Sequence, residues 1–207
     1  MFLAIVAQNR LDSLLREVTA RWGAALVKWS ALPHVELYPE VQLLLARAVC
    51  AWAGVPLPEA DVQARTTDLV LLFDAAGAVG PRHFASRRAR RRLEEWLSRV
   101  VQDVRQGRTQ CPQGCALQQI AAHQDAGGKL LAPQIAAVEL LNVIRPTIAV
   151  SVYVVFVAHA LEVNPACRER LSSEPLYAEA FAQEVRRYYP FFPAVAARVR
   201  HDFAWRG

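Results

Sequence analysis

Apolar residues recur every three or four positions along most of the chain, and this spacing predicts helices that each bury one face. Glycine or proline stands at the end of many of these patterns, as at Pro33, Gly54, Gly107 and Pro190, and such residues terminate helices. From Ala194 onward apolar and polar residues alternate, which is typical of a strand. We therefore predict a mainly α fold with a short β region at the C-terminus. The predicted helices are residues 11–29, 38–53, 61–73, 84–105, 117–123, 133–163, 165–171 and 176–189.

The sixth predicted helix contains the longest apolar run of the chain, Val138 to Leu161, and Arg145 and Pro146 lie within it. A proline in a helix interior removes a backbone hydrogen bond and costs ~3 kcal/mol. A guanidinium between Ile144 and Ile148 is costly to bury unless an anion meets it. Arg145 can snorkel to water at the helix edge, or it can receive a carboxylate through a bidentate contact. Two local penalties at adjacent positions of a core segment indicate a functional site.

Composition and charge place the chain among globular proteins. Its 207 residues are 54% hydrophobic and 21% charged, so a sizeable core can be buried and global disorder is excluded. We interpret residues 1–207 as a single partial domain. The net charge of +5 permits an acidic partner without requiring one. The 16 residues from Pro146 to Leu161 carry no formal charge. That run is shorter than the ~20 residues of a spanning helix, so no membrane span is predicted.

The four cysteines, Cys50, Cys111, Cys115 and Cys167, are too few and too scattered for a disulfide framework. We interpret them as reduced thiols and the protein as cytoplasmic. Cys111 and Cys115 bracket a short turn, with His123 nearby, but the sequence offers no clear second pair of ligands. No zinc site is predicted.

Six arginines lie close together near the start of the fourth predicted helix. Such a cluster can bind nucleic acid. The same helix also carries Glu94, Glu95 and a regular apolar stripe, so we interpret the cluster as a solvated outer face and predict no nucleic-acid partner. The cluster consists of Arg82, Arg87, Arg88, Arg90, Arg91 and Arg92.

Glu184 and Arg187 are three positions apart on the last predicted helix, so they share a face and can form an ion pair. Such a pair on a helix surface contributes only ~0–1 kcal/mol. Its sequence context is more informative, because Pro190 follows three residues after Arg187 and precedes an aromatic and proline-rich segment at 191–194.

Together these motifs resemble the cytochrome P-450 family. A long central helix, a loop and then Glu-x-x-Arg-x-x-Pro are similar to that fold, and the Arg-Pro pair in ELLNVIRPT replaces the acid-alcohol pair of the oxygen-using members. That replacement resembles the fatty-acid peroxygenase branch. The segments RAVCAWAGVPLPEADV, LFDAAGAVGPRH, VELLNVIRPTIAV and FAQEVRRYYPFFPAVAARV are also similar to that branch and occur in the same order. The resemblance covers nearly the whole chain and implies the middle half of the catalytic domain, about helices D to K.

The resemblance implies a chemistry and roles for particular residues. Haem b would lie against the central helix, and hydrogen peroxide would supply the oxidant without a redox partner. The carboxylate of a long-chain fatty acid would pair with Arg145 and serve as the acid-base group for O–O cleavage. The products would be 2- or 3-hydroxy acids, or a terminal alkene after decarboxylation. Pro146 would make room for peroxide, Phe191, Phe192, Pro193 and Ala194 would line the substrate pocket, and Glu184 with Arg187 would form a structural ion pair.

The resemblance also implies a cysteine thiolate as the iron ligand, in a glycine-containing loop far beyond the Glu-x-x-Arg motif. Only 20 residues follow Arg187, and none of them is cysteine, while Cys111 precedes the central helix. We therefore expect no axial metal ligand in this chain and interpret it as a fragment that does not complete the haem site alone. The alternative is an all-helical domain with a basic surface that binds an apolar ligand or has a regulatory role.

Overall fold

The computed structural model describes residues 2–192, 194 and 198–204. The chain divides into two compact units, Met1–Ser151 and Val152–Gly207. The predicted single partial domain stays a prediction. Within the described residues the helices are α1 Phe2–Ile5, α2 Gln8–Ser30, α3 Leu37–Ala53, α4 Glu59–Asp74, α5 Pro81–Arg105, α6 Ala116–Ala121, α7 Pro133–Ala149, α8 Ser151–Val163, α9 Pro165–Ser173 and α10 Tyr177–Tyr188.

The mainly α fold is confirmed. Every helix predicted from the apolar spacing is present, and its ends differ from the prediction by three residues or fewer. The exception is the central helix, which is interrupted at Val150 and so forms α7 and α8. Because the apolar spacing continues across this break, the pattern alone did not reveal it.

The first unit is built around α7. Helices α3, α4, α5 and α6 all contact α7, and α2 packs on α3. The side of α7 that meets them carries Leu140, Leu141, Ile144 and Ile148, all of which are fully buried. Each large aliphatic side chain removed from water in this way contributes about 1.5–3 kcal/mol. The central helix of the sequence pattern is therefore also the central helix of the first unit's core.

The second unit has a smaller core between α8, α9 and α10. Ala160, Phe181 and Val185 are buried at its centre, and partly buried side chains such as Phe156 and Leu171 pack around them. Aromatic contacts extend this core, because Phe156 stacks on Tyr189 with ring centroids 5.0 Å apart. These contacts hold α10, which carries the Glu-x-x-Arg motif, against α8.

The β region predicted from Ala194 onward is not found in the described part of the tail. Ala194 and residues 198–204 have no strand assignment, and residues 193, 195–197 and 205–207 lie outside the described residues. An extended segment forms a strand only when a neighbouring strand accepts its backbone hydrogen bonds. Within the described residues the only β pairing is the bridge between Gln124 and Leu130.

One helical run is long and apolar enough to cross a membrane. Counted together, Pro133–Val163 is 31 residues with a mean hydropathy of 1.9 in its most apolar window. This test uses length and composition only, and a core helix passes it too. The packing of Leu140, Leu141, Ile144 and Ile148 against neighbouring helices explains the apolar character of the α7 half.

The stability of the first unit should fall at high pH because of Cys50. This thiol is buried in α3, and the burial raises its pKa to about 12 from an ordinary 9. The neutral thiol is favoured by the fold, so this stabilisation is complete below about pH 9 and is lost as pH rises towards 12. We expect the difference in free energy of unfolding between the native chain and Cys50→Ala to shrink over that range. Urea denaturation at each pH measures it, and a constant difference would contradict the expectation.

Candidate functional site on the central helix

Arg145 lies half-buried on α7, and none of its guanidinium nitrogens forms a hydrogen bond or an ion pair within the described part of the chain. The only acidic residues of α7 and α8 are Glu139 and Glu162. Neither is three or four positions away, the separation at which helix side chains meet. Over residues 2–192, 194 and 198–204, nine other lysine or arginine side chains have a carboxylate partner, including Arg92 with Asp68 and Arg187 with Glu184. Arg145 therefore presents an unneutralised cation at a partly dehydrated position.

Pro146 disturbs the helix directly beside this cation. It lies inside α7 and has no N–H, so it cannot donate to the carbonyl of Asn142. Downstream, the Thr147 hydroxyl donates to the Val143 carbonyl at 3.1 Å. The Val150 N–H donates to the Thr147 carbonyl at 3.3 Å, and α7 ends at Ala149. The helix thus loses one backbone hydrogen bond at Pro146 and is interrupted one turn later, at Val150.

Arg145 borders a face of α7 that, among the described residues, no other helix of the first unit covers. Ile135 and Val150 on this face are 52% and 47% exposed, and Asn142 and Pro146 between them are exposed as well. These four residues, at helical spacing, define what we call the open face of α7. Apolar surface on the central helix of a core is normally covered. The open face is therefore a part of the first unit that can contact a further group.

The predicted pocket residues lie in the second unit. Phe191 is half-buried and stacks on Tyr153 with ring centroids 5.9 Å apart. Phe192 contacts Phe191 edge-on, with ring centroids 4.6 Å apart. Phe192 and Ala194 are both exposed. Pro193 lies outside the described residues. Since these residues and Arg145 belong to different units, their shared role in one pocket stays a prediction.

Glu184 and Arg187 form the ion pair that their spacing predicts. Arg187 Nε donates to Glu184 Oε2 at 2.8 Å, and Nη2 donates to Oε1 at 2.5 Å. The guanidinium hydrogen bonds lower the pKa of Glu184, and the carboxylate raises that of Arg187. Both side chains are largely exposed, so the pair adds little to the stability of this unit by itself. Its structural role in a larger fold stays a prediction.

Sequence reasoning missed a cavity of about 700 Å³ in the second unit, between α8, α9 and α10. Its lining includes Ala160, Cys167, Tyr177, Phe181 and Glu184. The Tyr177 hydroxyl donates to Cys167 Sγ at 3.2 Å on its wall. A signal was present, because Tyr177 and Phe181 are four positions apart and so share one face of α10.

The four cysteines all lie in described parts of the chain and are free thiols. Cys50 and Cys115 are buried. Burial, together with the neighbouring Cys115 thiol, raises the pKa of Cys111 to about 11. Cys167 accepts the hydrogen bond from Tyr177. Cys50 and Cys115 are each only 1% exposed, so neither can reach a haem iron without a rearrangement of the core, and the Cys167 sulfur is already engaged by Tyr177.

Comparisons with solved structures identify the class of protein. No protein-family model matches the chain. Cytochrome P450SP alpha in complex with (R)-ibuprofen is 46% identical, with a TM-score of 0.91 over 99% of this chain and 50% of that one. Ligand-free cytochrome P-450 OleT is 36% identical, with a TM-score of 0.88 over 93% of this chain and 46% of that one. A variant of OleT in complex with arachidonic acid is 35% identical, with a TM-score of 0.87.

The chain thus has the fold and sequence of part of a cytochrome P-450, and it spans about half the length of the solved structures that it matches. Within that class it resembles the fatty-acid peroxygenase branch, because P450SP alpha and OleT are peroxygenases of the CYP152 group. The resemblance stated from the sequence motifs is therefore confirmed. The cytochrome P-450 neighbours imply haem as the cofactor.

Proposed function

We propose that this chain forms the fatty-acid-binding wall of a haem-thiolate peroxygenase. The enzyme uses hydrogen peroxide to hydroxylate long-chain fatty acids at carbon 2 or 3, or to decarboxylate them. One observation carries the proposal: Arg145, which has no anionic partner among the described residues, lies half-buried beside a helix-internal proline on the central helix. A carboxylic acid that brings its own negative charge neutralises this arginine and uses the apolar surroundings for its chain.

The chemistry of the neighbours' ligands supports a carboxylate as the group that Arg145 recognises. Arachidonic acid is the ligand in the OleT complex and (R)-ibuprofen the ligand in the P450SP alpha complex. Both molecules combine one carboxylate with an apolar body. A guanidinium binds a carboxylate through two parallel N–H···O bonds, which fixes the orientation as well as the affinity. Arg145 would thereby determine which carbon atoms of the acyl chain face the reacting centre.

The bound carboxylate would also act as the base that accepts a proton from the peroxide. Paired with Arg145 its pKa is lowered, so at neutral pH it is ionised and ready to accept a proton on an oxygen not held by the guanidinium. Pro146 contributes by interrupting the helical hydrogen bonds next to Arg145. It leaves the Asn142 carbonyl without its usual helical donor. We propose that a free acceptor and added space at this turn help to position peroxide.

We propose that haem b lies against the open face of α7, which carries the exposed side chains of Ile135 and Val150, and haem would supply the oxidising chemistry when it is bound. The thiolate ligand does not come from the described cysteines. We propose that residues outside this 207-residue chain provide the axial cysteine and the opposite wall, and that the chain alone does not complete the haem site. The proposed function requires no redox partner, nucleic acid or membrane span. The proposed location of the protein is the cytoplasm.

Two measurements test the proposal. First, the chain is mixed with haem, reduced and exposed to carbon monoxide, and we expect no absorption band with thiolate character. Second, residues 1–207 replace the matching half of P450SP alpha, with the unaltered enzyme as control. We expect this chimera to bind haem through a thiolate and to convert fatty acids with hydrogen peroxide. A chimera that folds and binds haem but fails to oxidise fatty acids would contradict the proposed function.

The cavity in the second unit favours one alternative, an all-helical domain that binds an apolar ligand without haem. Its volume of about 700 Å³ lies within the 300–1,000 Å³ range of small-molecule pockets. In that case the chain alone would bind a fluorescent fatty acid, and Phe181→Ala on the cavity wall would weaken binding while Arg145→Leu would not. The peroxygenase proposal expects the opposite sensitivity in the chimera.

A further inference from the structure

The first three turns of α5 carry more positive charge than the fold neutralises. Six arginines fall between residues 82 and 92 without an acidic residue among them. Arg90 pairs with Glu94 and Arg92 with Asp68, while Arg82 donates to the Asp74 carbonyl. In the described part of the chain the other three, Arg87, Arg88 and Arg91, are exposed and have no hydrogen-bond or ion-pair partner.

This positive charge lowers the stability of the N-terminal turns of α5. The N-terminal turns of a helix favour anions, because the backbone N–H groups there carry partial positive charge. The first turn of α5 has no acidic residue, and the arginines begin within it. Charges placed against the helix dipole are a local conflict, and such conflicts are typical of functional surfaces.

Two apolar side chains lie exposed next to the arginines. Val79, immediately before the N-cap Gly80, is 87% exposed, and Phe84 is 61% exposed. They stand at the two positions that form a hydrophobic staple when they pack together, but here both remain largely in water. Phe84 lies on the same side of α5 as Arg87, Arg88 and Arg91, since positions three, four and seven apart share a helix face.

We propose that Val79, Phe84, Arg87, Arg88 and Arg91 form a docking surface for anionic lipid bilayers. Apolar side chains next to unpaired cations match a lipid interface, where acyl chains lie below a layer of negative headgroups. The arginines bind lipid phosphates, and the two apolar side chains insert at the level of the headgroups. A nucleic acid would use the same arginines but offers no apolar layer for Val79 and Phe84, so the observations favour the bilayer.

The test is sedimentation of the full 207-residue chain with lipid vesicles. We expect binding to phosphatidylglycerol vesicles, weaker binding as salt is raised, and little binding to phosphatidylcholine vesicles. An arginine near an anionic surface adds about fivefold to the binding constant. The triple variant Arg87→Gln, Arg88→Gln, Arg91→Gln should therefore bind roughly 100-fold more weakly, and Phe84→Ser roughly tenfold more weakly.

A second triple variant serves as the matched control, because it removes the same number of positive charges from other exposed positions. It carries Arg16→Gln, Lys129→Gln and Arg200→Gln. We expect this control to bind phosphatidylglycerol vesicles within about threefold of the native chain, since these charges lie outside the docking surface. Circular dichroism confirms that each variant is folded. Equal weakening by both triple variants would show a general charge effect and overturn the proposal.

Nucleic acid provides the opposing outcome. If the native chain binds duplex DNA but not phosphatidylglycerol vesicles, and Phe84→Ser leaves DNA binding unchanged, the lipid proposal is wrong. Failure to bind either probe overturns it as well. The result is independent of the proposed peroxygenase activity, because none of the five residues belongs to the site on α7.

Discussion

In the chimera with P450SP alpha, replacing Arg145 by leucine is expected to lower kcat/KM for long-chain fatty acids by roughly 1,000-fold. A bidentate pair between a guanidinium and a carboxylate, together with the orientation that it imposes, supports a loss of this size. If the bound carboxylate also accepts the peroxide proton, kcat should fall along with affinity. Steady-state assays with hydrogen peroxide and a C14 to C18 fatty acid measure both parameters.

Two controls make this result specific. Arg145→Lys keeps the charge but removes the bidentate contact with the carboxylate. We therefore expect an intermediate loss of kcat/KM and a broader spread of hydroxylated positions. Arg16→Leu removes an exposed arginine of α2 and should leave kcat/KM unchanged. Retained regiospecific turnover in Arg145→Leu, with normal haem content, would exclude Arg145 from substrate binding.

Gly54→Ala is expected to lower the free energy of unfolding by about 3 kcal/mol. Gly54 ends α3 with φ +77°, a left-handed conformation that disfavours residues with a Cβ. A Cβ at this position would also lie 2.4 Å from Cys115 Sγ, and Cys115 is buried, so its sulfur has little room to move. Overpacking a core contact of this kind costs about 1–3 kcal/mol in addition to the backbone strain. Urea denaturation followed by circular dichroism measures the loss.

Gly107→Ala is the matched control for the backbone contribution. Its φ is +69°, nearly that of Gly54, but a Cβ there meets nothing within 4 Å. We expect Gly107→Ala to cost only about 1 kcal/mol. The double variant Gly54→Ala, Cys115→Ala should recover part of the loss relative to the two single variants, since it removes the overlapping sulfur. Equal losses for the two glycine variants would mean that the contact with Cys115 is unimportant.

The helices were predictable because their signal is local. Amphipathic spacing of three and four residues and the terminating residues Gly54 and Gly107 lie within each segment, so no distant contact was needed to place α2 to α6. The unusual character of Arg145 and Pro146 was equally visible. A charged residue between isoleucines and a proline inside a helical pattern are both recognised from immediate neighbours in the chain. The family resemblance followed from such local motifs in the right order.

The fit between Gly54 and Cys115, the break at Val150 and the cavity beside Cys167 were not predictable in this way. Each depends on groups that are brought together by packing, or on a backbone irregularity whose position the apolar spacing does not record. The tail from Ala194 shows the converse case, because a strand-like alternation becomes a strand only with a pairing partner.

By itself the sequence determined where the helices lie, which face of each is apolar, and that an arginine stands next to a proline in the central helix. These properties follow from side-chain chemistry and spacing over a few residues. Only the tertiary structure decided that Arg145 is half-buried at the edge of an exposed face, and that Arg87, Arg88 and Arg91 have no counter-ion among the described residues. Burial and charge neutralisation depend on which distant groups the folded chain brings near, and no local pattern contains that information.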